Sequence, residues 1–393
     1  MMLMDTSLIA YMNGQLELTT STIHRYMYDR VNWDARMFGL VGPRGVGKTT
    51  MILQHIKEHG QGRKMMYVSA DHVYFSTHRL IEVADEFSKE AGEQLFIDEI
   101  HKYADWSREL KQIYDSHPDL QIVFTGSSVL DIYKGVADLS RRAPIFLMQG
   151  LSFREYLMLF HGIEVPVYPL KDILQQKASI PGVAHPLPLF KDYLRRGYYP
   201  FSSDAHFDIE LRQVINQTME VDIPQYANMN ASTGRKLKKL LAVIAQSVPF
   251  KPVMDTLATV LNVSRNVLPD YFLFMEQAGM IAQLRDDTGG IRGLGKVEKV
   301  YLDNTNLAYL LGENATDVGN LRETFFYNQM RVTTDVISSR VSDFEIDGKT
   351  FEVGGKRKSK KQIANTVDGY VVRDDIEFGS GTIIPLWAFG LTY

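Results

Sequence analysis

The chain has 393 residues, more than one hydrophobic core of ordinary size holds, so two or three domains are expected. Apolar residues make up 45% and charged residues 23%, which excludes a disordered or fibrous chain and fits a globular one. The absence of cysteine excludes disulfides, thiolate metal sites and a cysteine nucleophile, and is compatible with a reducing cytoplasm; the net charge of −4 leaves no global basic field, so nucleic acid could be held only by local patches.

The first residues, MMLMDTSLIAYMNG, lack a basic region followed by an apolar run and a small-residue cleavage site, so no secretory leader is expected. No stretch approaches the roughly 18 apolar residues of a membrane span, so no membrane partner is expected. Residues 37–42 (MFGLVG) read as a strand and 48–60 as a helix ended by Gly60. Residues 64–70 read as a strand, 77–92 as a helix, and 94–100 and 120–128 as strands. Strands apolar along their whole length and separated by helices imply a parallel sheet covered on both faces.

Between the first strand and its helix lies Gly42-Pro43-Arg44-Gly45-Val46-Gly47-Lys48-Thr49, which satisfies G-x-x-x-x-G-K-[ST] at every required position. Its glycines let backbone N–H groups turn inward around phosphates, Lys48 reaches the β- and γ-phosphates, and the Thr49 hydroxyl ligates Mg²⁺. The following helix, with Thr50 in its first turn, points its positive end at the anion. The strand LFIDEIH ends in Asp98-Glu99: Asp98 is expected to hold Mg²⁺ and Glu99 to orient and polarise the attacking water. A P-loop kinase would need an acceptor site in place of Glu99, and no signature of one is visible. His101 and Lys102 read as supporting or surface groups. The strand IVFTGSS ends in hydroxyls, so Thr125, Ser127 or Ser128 could reach the γ-phosphate or the water; Ser127 is taken with the nucleotide loop. Ser140-Arg141-Arg142 offers an arginine finger acting between subunits or, equally, a surface ion pair.

Residues 151–230 read mostly as helices with a Pro-rich break at 181–188. Residues 235–312 read as three helices and a hairpin with a Gly-rich tip, the order of a winged helix. From about 320 a helix precedes several short strands.

The segments GPRGVGKTT, IDEIHKYADWSRELKQIYD, IVFTGSSVLDI, DLSRRA and LSFREYL, followed later by DYLRRGYYP, KVYLDNTNLAYLL and IPLWAFGLTY, resemble the prokaryotic AAA-type ATPases. The likeness is to the archaeal and bacterial group with a C-terminal domain formerly of unknown function. This resemblance implies an α/β P-loop NTPase parallel sheet with a helical lid, then a winged helix and a small α+β domain like the restriction-endonuclease fold. The corresponding spans are 1–150, 151–207, 208–315 and 316–393. Lys48, Thr49, Asp98 and Glu99 match the family's ATP site one for one. The family's finger arginine follows Gly; here Ser140-Arg141 precede Arg142, so either arginine could act. No arginine follows Pro200, which leaves Arg195 or Arg196 to serve as a lid sensor.

A winged helix would meet DNA through Arg265, Ser264 and Asn266 at the start of its third helix, although Pro269 restricts that helix's first turns. Around the wing lie Arg285, Arg292, Lys296 and Lys299, and on the first helix Arg235, Lys236, Lys238 and Lys239. A nuclease of the implied fold needs a helix Glu, a strand Asp and a Glu-x-Lys, so Glu323, Asp343 and Glu352 are the candidates. Gly354 stands where the lysine belongs, so cleavage is not expected. The run Lys356, Arg357, Lys358, Lys360, Lys361 reads as a surface anion site, with DNA or RNA backbone preferred over membrane, or else as a solvated loop. The expectation is an oligomeric, DNA-associated ATPase using ATP and Mg²⁺, binding duplex or branched DNA. The alternatives are a nucleotide-dependent switch that recruits a protein and an ATP-regulated, Mg²⁺-dependent nuclease.

Overall fold

The structure is a computed structural model that describes residues 5–20, 23–126, 139, 141–227, 229–247, 249–287, 295–312, 318–359, 361–364 and 366–393. Ser127, Ser128, Ser140, Arg292 and Lys360 therefore lie outside the described residues. The chain divides into two compact units, Met1–Gly150 and Leu151–Tyr393.

In the first unit β1 (Met37–Val41), β2 (Met65–Ser69), β3 (Gln94–Asp98), β4 (Gln121–Gly126) and β5 (Ile145–Leu147) form one parallel sheet in the order β2-β3-β4-β1-β5. Every residue of β1, β2 and β3 is buried, as strands covered on both faces require. The helices are α1 (Thr6–Leu18), α2 (Lys48–His59), α3 (Leu80–Lys89) and α4 (Trp106–Ser116). α3 is shorter than the 77–92 pattern suggests. The Arg79 N–H donates to the Glu82 carboxylate at 3.0 Å and closes its first turn, and residues 73–76 form a separate 3-10 turn. α2 ends at Gly60, whose N–H donates to the Ile56 carbonyl at 2.8 Å. The insertion of β4 between β1 and β3 matters for function, because it carries the end of β4 in between the glycine loop and the acidic pair.

Besides Lys48, the buried His55 of α2 is titratable. The His55 ring stacks on Trp33 at 3.9 Å and on His59 at 4.4 Å. Burial, then His59 and Arg63, push its pKa from the ordinary value near 6.5 down to about 4. The unfolded chain therefore takes up a proton at His55 before the folded chain does. Its contribution to stability is intact above about pH 6.5 and is lost as pH falls toward about 4, by up to about 3 kcal/mol. Thermal unfolding across that window is expected to show this loss. His55→Phe, which keeps an aromatic ring against Trp33, is expected to show a smaller one.

The second unit begins with α5 (Phe153–His161), α6 (Leu170–Leu174), α7 (Leu187–Arg196) and α8 (Phe207–Gln217). α5 opens with a capping box: the Ser152 hydroxyl accepts from the Glu155 N–H at 3.1 Å, and the Glu155 carboxylate accepts from the Ser152 N–H at 3.1 Å. α9 (Ala231–Ala245), α10 (Met254–Leu261) and α11 (Leu268–Gln277) follow, then the antiparallel hairpin β6 (Ile281–Arg285) and β7 (Val297–Leu302). Pro269 sits in the first turn of α11, where its missing N–H costs nothing, and a 3-10 turn over Arg265–Val267 leads into it. Phe250, between α9 and α10, adds a bridge to the hairpin through two backbone hydrogen bonds with Val300, at 2.9 and 2.8 Å.

After α12 (Thr305–Gly312), α13 (Val318–Met330) packs on a mixed sheet of order β12-β11-β10-β9-β8. Its strands are β8 (Ile337–Ser338), β9 (Phe344–Ile346), β10 (Lys349–Gly354), β11 (Gly369–Arg373) and β12 (Ile383–Pro385). Phe326 of α13 meets Phe351 at 5.4 Å and Phe389 at 4.9 Å, which places the core of this part between helix and sheet. Among the described residues no helix is long and apolar enough to cross a membrane.

Candidate nucleotide-hydrolysing site

The glycine loop joins the C-terminal end of β1 to the N-terminus of α2, outside the carboxyl edge of the parallel sheet, where open α/β sheets bind ligands. Gly42 has φ 154°, and a Cβ there would stand 2.1 Å from the Met148 carbonyl oxygen, so no other residue fits. Gly47, at φ 97°, is the left-handed N-cap of α2 and leaves the first N–H groups of that helix facing the loop. Lys48 is 5% exposed, and its ammonium donates to the Gly42 and Pro43 carbonyls at 2.8 and 2.9 Å. Burial pushes it down to about 8 against the pull of Glu99 and Asp98. The loop thus holds a desolvated cation curled inside itself, in place to meet an anion. Arg25 braces the loop from outside, donating to the Val46 carbonyl and, at 2.8 Å, to that of Gln149.

Asp98 ends β3 and is buried with three hydroxyl donors around it. Thr49 donates to Oδ2 at 2.7 Å, Tyr67 of β2 to the same oxygen at 2.9 Å, and Thr125 to Oδ1. Burial raises the carboxyl above its ordinary range; the Thr125, Thr49 and Tyr67 hydroxyls pull it back, while neighbouring Glu99 raises it further. The Tyr67 phenol is itself pushed far up by burial and by Asp98, so it stays a donor. Tyr11 of α1 stacks on Tyr67 at 6.1 Å.

Glu99 adopts the left-handed backbone region at φ 49°, a conformation that costs a non-glycine residue about 1 kcal/mol or more and is kept where function needs it. The turn carries its carboxylate beside His101, whose Nε2 lies 3.4 Å away on a ring that is 3% exposed. The Glu99 N–H donates to the Thr125 hydroxyl at 3.3 Å. Thr125 therefore corrects the sequence expectation. Its hydroxyl is fully buried and spent on Asp98 and the Glu99 backbone, so it positions the acidic pair and does not reach a phosphate. Thr49 and Asp98 present hard oxygen donors at one point of the helix N-terminus, which fits Mg²⁺.

Arg142 forms a two-point ion pair with Asp115 at the end of α4, at 3.1 and 3.2 Å, and Arg141 is exposed beside it. Tyr67 and Arg25 lie outside every motif, and no local signal marks them; Thr125 and Glu99 lie in motifs, but nothing in the sequence shows the bond between them.

The nuclease-like arrangement is not assembled as a metal centre. Lys299 of β7 reaches in from the hairpin and places its ammonium 3.2 Å from both Glu323 and Asp343, all three side chains being at most 18% exposed. Tyr301 donates to Glu323 at 2.7 Å, and the Val353 N–H donates to Asp343 at 3.0 Å. Glu352 is 1% exposed and is held separately by Ser342 and the Lys358 ammonium. The lysine expected at Gly354 is replaced from Lys358, whose Cδ, Cγ and Cβ lie 2.5, 2.6 and 2.8 Å from where a Gly354 Cβ would be. Glu323 and Asp343 thus share the Lys299 ammonium and Glu352 has that of Lys358, so the three acids are paired with lysines within the fold and are not gathered into a divalent-metal site. Among the described residues no group of three or more His, Asp or Glu could hold one.

Two basic residues accordingly leave their expected surface roles. Lys299 is inside the fold, and Lys358 is turned inward onto Glu352 and is not part of a free anion site. Lys356, Arg357 and Lys361 remain exposed. Arg265 is exposed and paired with Asp255 at 3.2 Å.

A glycine loop holding a buried lysine at a helix N-terminus, faced by a strand-end Asp-Glu pair, defines a P-loop nucleotide hydrolase. Residues 34–157 match the family described as AAA domain, and residues 187–317 match a domain of unknown function (DUF8612). The AAA-domain match spans the glycine loop and the acidic pair, and the chain is an ATP-hydrolysing P-loop enzyme. No curated protein matches it. Among solved structures it is similar to the Walker-type ATPase PABY2304 of Pyrococcus abyssi, at 12% identity over 79% of this chain and 96% of that one, TM-score 0.44. Others are Cdc6p from Pyrobaculum aerophilum, at 10% over 79% and 96%, TM-score 0.30, and AMPPCP-bound DnaA from Aquifex aeolicus, at 10% over 70% and 90%, TM-score 0.26.

Proposed function

We propose that the chain is an oligomeric, Mg²⁺-dependent ATPase whose hydrolysis is coupled to DNA held by its C-terminal half. The observation that carries the ATP reading is the Thr49–Asp98 contact at 2.7 Å with Glu99 next in sequence, below a buried Lys48. The loop N–H groups and Lys48 bind the phosphates. Thr49 and Asp98 hold Mg²⁺, which when bound neutralises charge on the phosphate oxygens. Glu99 orients the attacking water and accepts its proton. Thr125 and Tyr67 fix the carboxylate of Asp98, so little reorganisation is needed when charge develops. Arg142, or Arg141, would act on a neighbouring subunit's nucleotide after Arg142 leaves Asp115.

The DNA reading rests on three helices followed by a two-stranded hairpin that Phe250 joins by an isolated backbone bridge, the order of a winged helix over 208–315, and on exposed Lys356, Arg357 and Lys361 in 316–393. In this reading 151–207 is the helical lid.

A second reading, a nucleotide switch that recruits a protein, is favoured by how many winged-unit cations are already paired. Lys238 meets Glu220 at 2.9 Å, Arg285 meets Glu276 at 2.8 Å, and Lys296 meets Glu298 at 2.9 Å. One experiment separates the two: ATP hydrolysis measured without DNA, with linear duplex and with a four-way junction, at low and high salt. Stimulation by one DNA form, falling steeply with salt, is expected. Hydrolysis indifferent to every DNA would reject DNA coupling and leave the protein switch.

A further inference from the structure

Lys48 gathers the glycine loop from within, onto the Gly42 and Pro43 carbonyls; Arg25 holds the other end of the loop and a second segment with it. That segment is the strap 148–150, which follows the edge strand β5 and ends the first unit. The strap runs along the start of the loop. The Met148 N–H donates to the Val41 carbonyl at 2.8 Å, and the Met148 carbonyl fills the space that a Cβ on Gly42 would need. Arg25, 8% exposed and placed before β1, joins the strap to the end of the loop. Its Nη1 donates to the Val46 carbonyl, and its Nη2 donates to the Gln149 carbonyl at 2.8 Å. Neighbouring Tyr26 completes the tie, its phenol oxygen accepting from the Gln149 N–H at 3.1 Å.

A peptide unit is planar and trans, so its C=O and N–H point in opposite directions. The Val46 carbonyl points at Arg25. The N–H of the same peptide, that of Gly47, is therefore turned the other way, as a loop whose N–H groups gather around an anion requires. Nothing in Gly47 itself secures this orientation: it sits at φ 97°, and glycine takes positive and negative φ with similar ease. A turned-over peptide would present a carbonyl oxygen to the phosphate and repel it. The guanidinium is suited to prevent this. It is planar, always charged and carries donors in a rigid fork, so it holds two carbonyls at a fixed separation.

We infer that Arg25 is a positioning residue for ATP: it fixes the Val46–Gly47 peptide with its N–H toward the phosphates and ties that peptide to the strap, so that filling the loop also steadies Met148 and Gln149. This rests on the reading of the glycine loop as the phosphate site. Arg25 acts through the Gly47 N–H and not by touching the nucleotide.

Hydrogen exchange on the full chain, with and without Mg²⁺ and the non-hydrolysable ATP analogue AMPPCP, tests the tie directly. The analogue is expected to slow exchange at the Met148 and Gln149 amides as well as in the loop. Arg25→Met removes both donors and keeps an unbranched apolar side chain. It is expected to bind the analogue about tenfold more weakly, since an N–H held on a phosphate makes a charge-assisted bond. It is also expected to lose the slowing at Met148 and Gln149 at saturating analogue, which a merely structural role would leave in place. Arg25→Lys, a single compact donor group, is expected to recover part of the affinity but not the slowing. Protection of the loop with no change at Met148 and Gln149 in the wild-type chain would overturn the inference, and that comparison stands even if Arg25→Met folds poorly. So would affinity within about twofold of wild type in a folded Arg25→Met protein. Lys48→Met is the reference. Binding lost there but kept in Arg25→Met overturns this inference alone, whereas binding kept in Lys48→Met overturns the phosphate-site reading and the inference with it.

Discussion

Replacing Lys48 by alanine is expected to abolish nucleotide binding, with the dissociation constant for ATP rising about 100-fold or more. The ammonium is buried at the head of α2 and is already desolvated, so its contacts with phosphate are charge-assisted hydrogen bonds worth about 1.5–3 kcal/mol each. The same substitution strands the Gly42 and Pro43 carbonyls that Lys48 now satisfies, a cost of about 1–3 kcal/mol for each group left unpaired. It also removes a buried charge, which acts in the opposite direction. Lys48→Met, which keeps the aliphatic stem, separates binding from folding. It is expected to melt close to wild type and still fail to bind a fluorescent ATP analogue. Binding within a fewfold of wild type in a folded Lys48→Met protein would remove Lys48 from the phosphate site.

Glu99→Gln is expected to act on the other kinetic constant. Glutamine has the same length and can occupy the same left-handed turn, so nucleotide binding should change by no more than about threefold, while kcat should fall about 10²–10⁴-fold. The turn sets the Glu99 carboxylate beside His101, and the Thr125 hydroxyl, which donates to Asp98, accepts from the Glu99 N–H. Two adjacent acids thus take different parts. Asp98 is enclosed by three hydroxyls and suited to hold an ion, whereas Glu99 remains partly exposed and suited to meet water. Stopped-flow binding and steady-state turnover on the same protein measure both constants. Turnover at the wild-type rate in Glu99→Gln would mean that another group accepts the proton.

The nucleotide loop, the acidic pair and the parallel sheet were legible in the sequence because each is a local property. Glycines at fixed offsets permit positive φ and close approach. A lysine at a helix start meets anions, and uninterrupted apolar strands must be covered on both faces. Gly42, Lys48, Thr49, Asp98 and Glu99 carry their chemistry in their own types and spacing. The order of three helices and a hairpin over 231–302 was legible for the same reason, from helix-period and strand-period patterns.

What tertiary structure alone decided is who partners whom. Thr125 lies 27 residues from Asp98 and Tyr67 lies 31 away; they meet it because β4 and β2 flank β3. Arg25 reaches the loop from a segment before β1. The same holds for charge. A run of lysines reads as solvated when only composition is known, yet Gly354 leaves a channel that Lys358 fills to reach Glu352. Lys299 reads as a wing residue until the hairpin is seen packed against α13 and the turn before β9, where its ammonium joins Glu323 and Asp343. A buried carboxylate must find a cation, but which cation it finds depends on strand order and on the space left between elements, and neither is encoded in neighbouring residues.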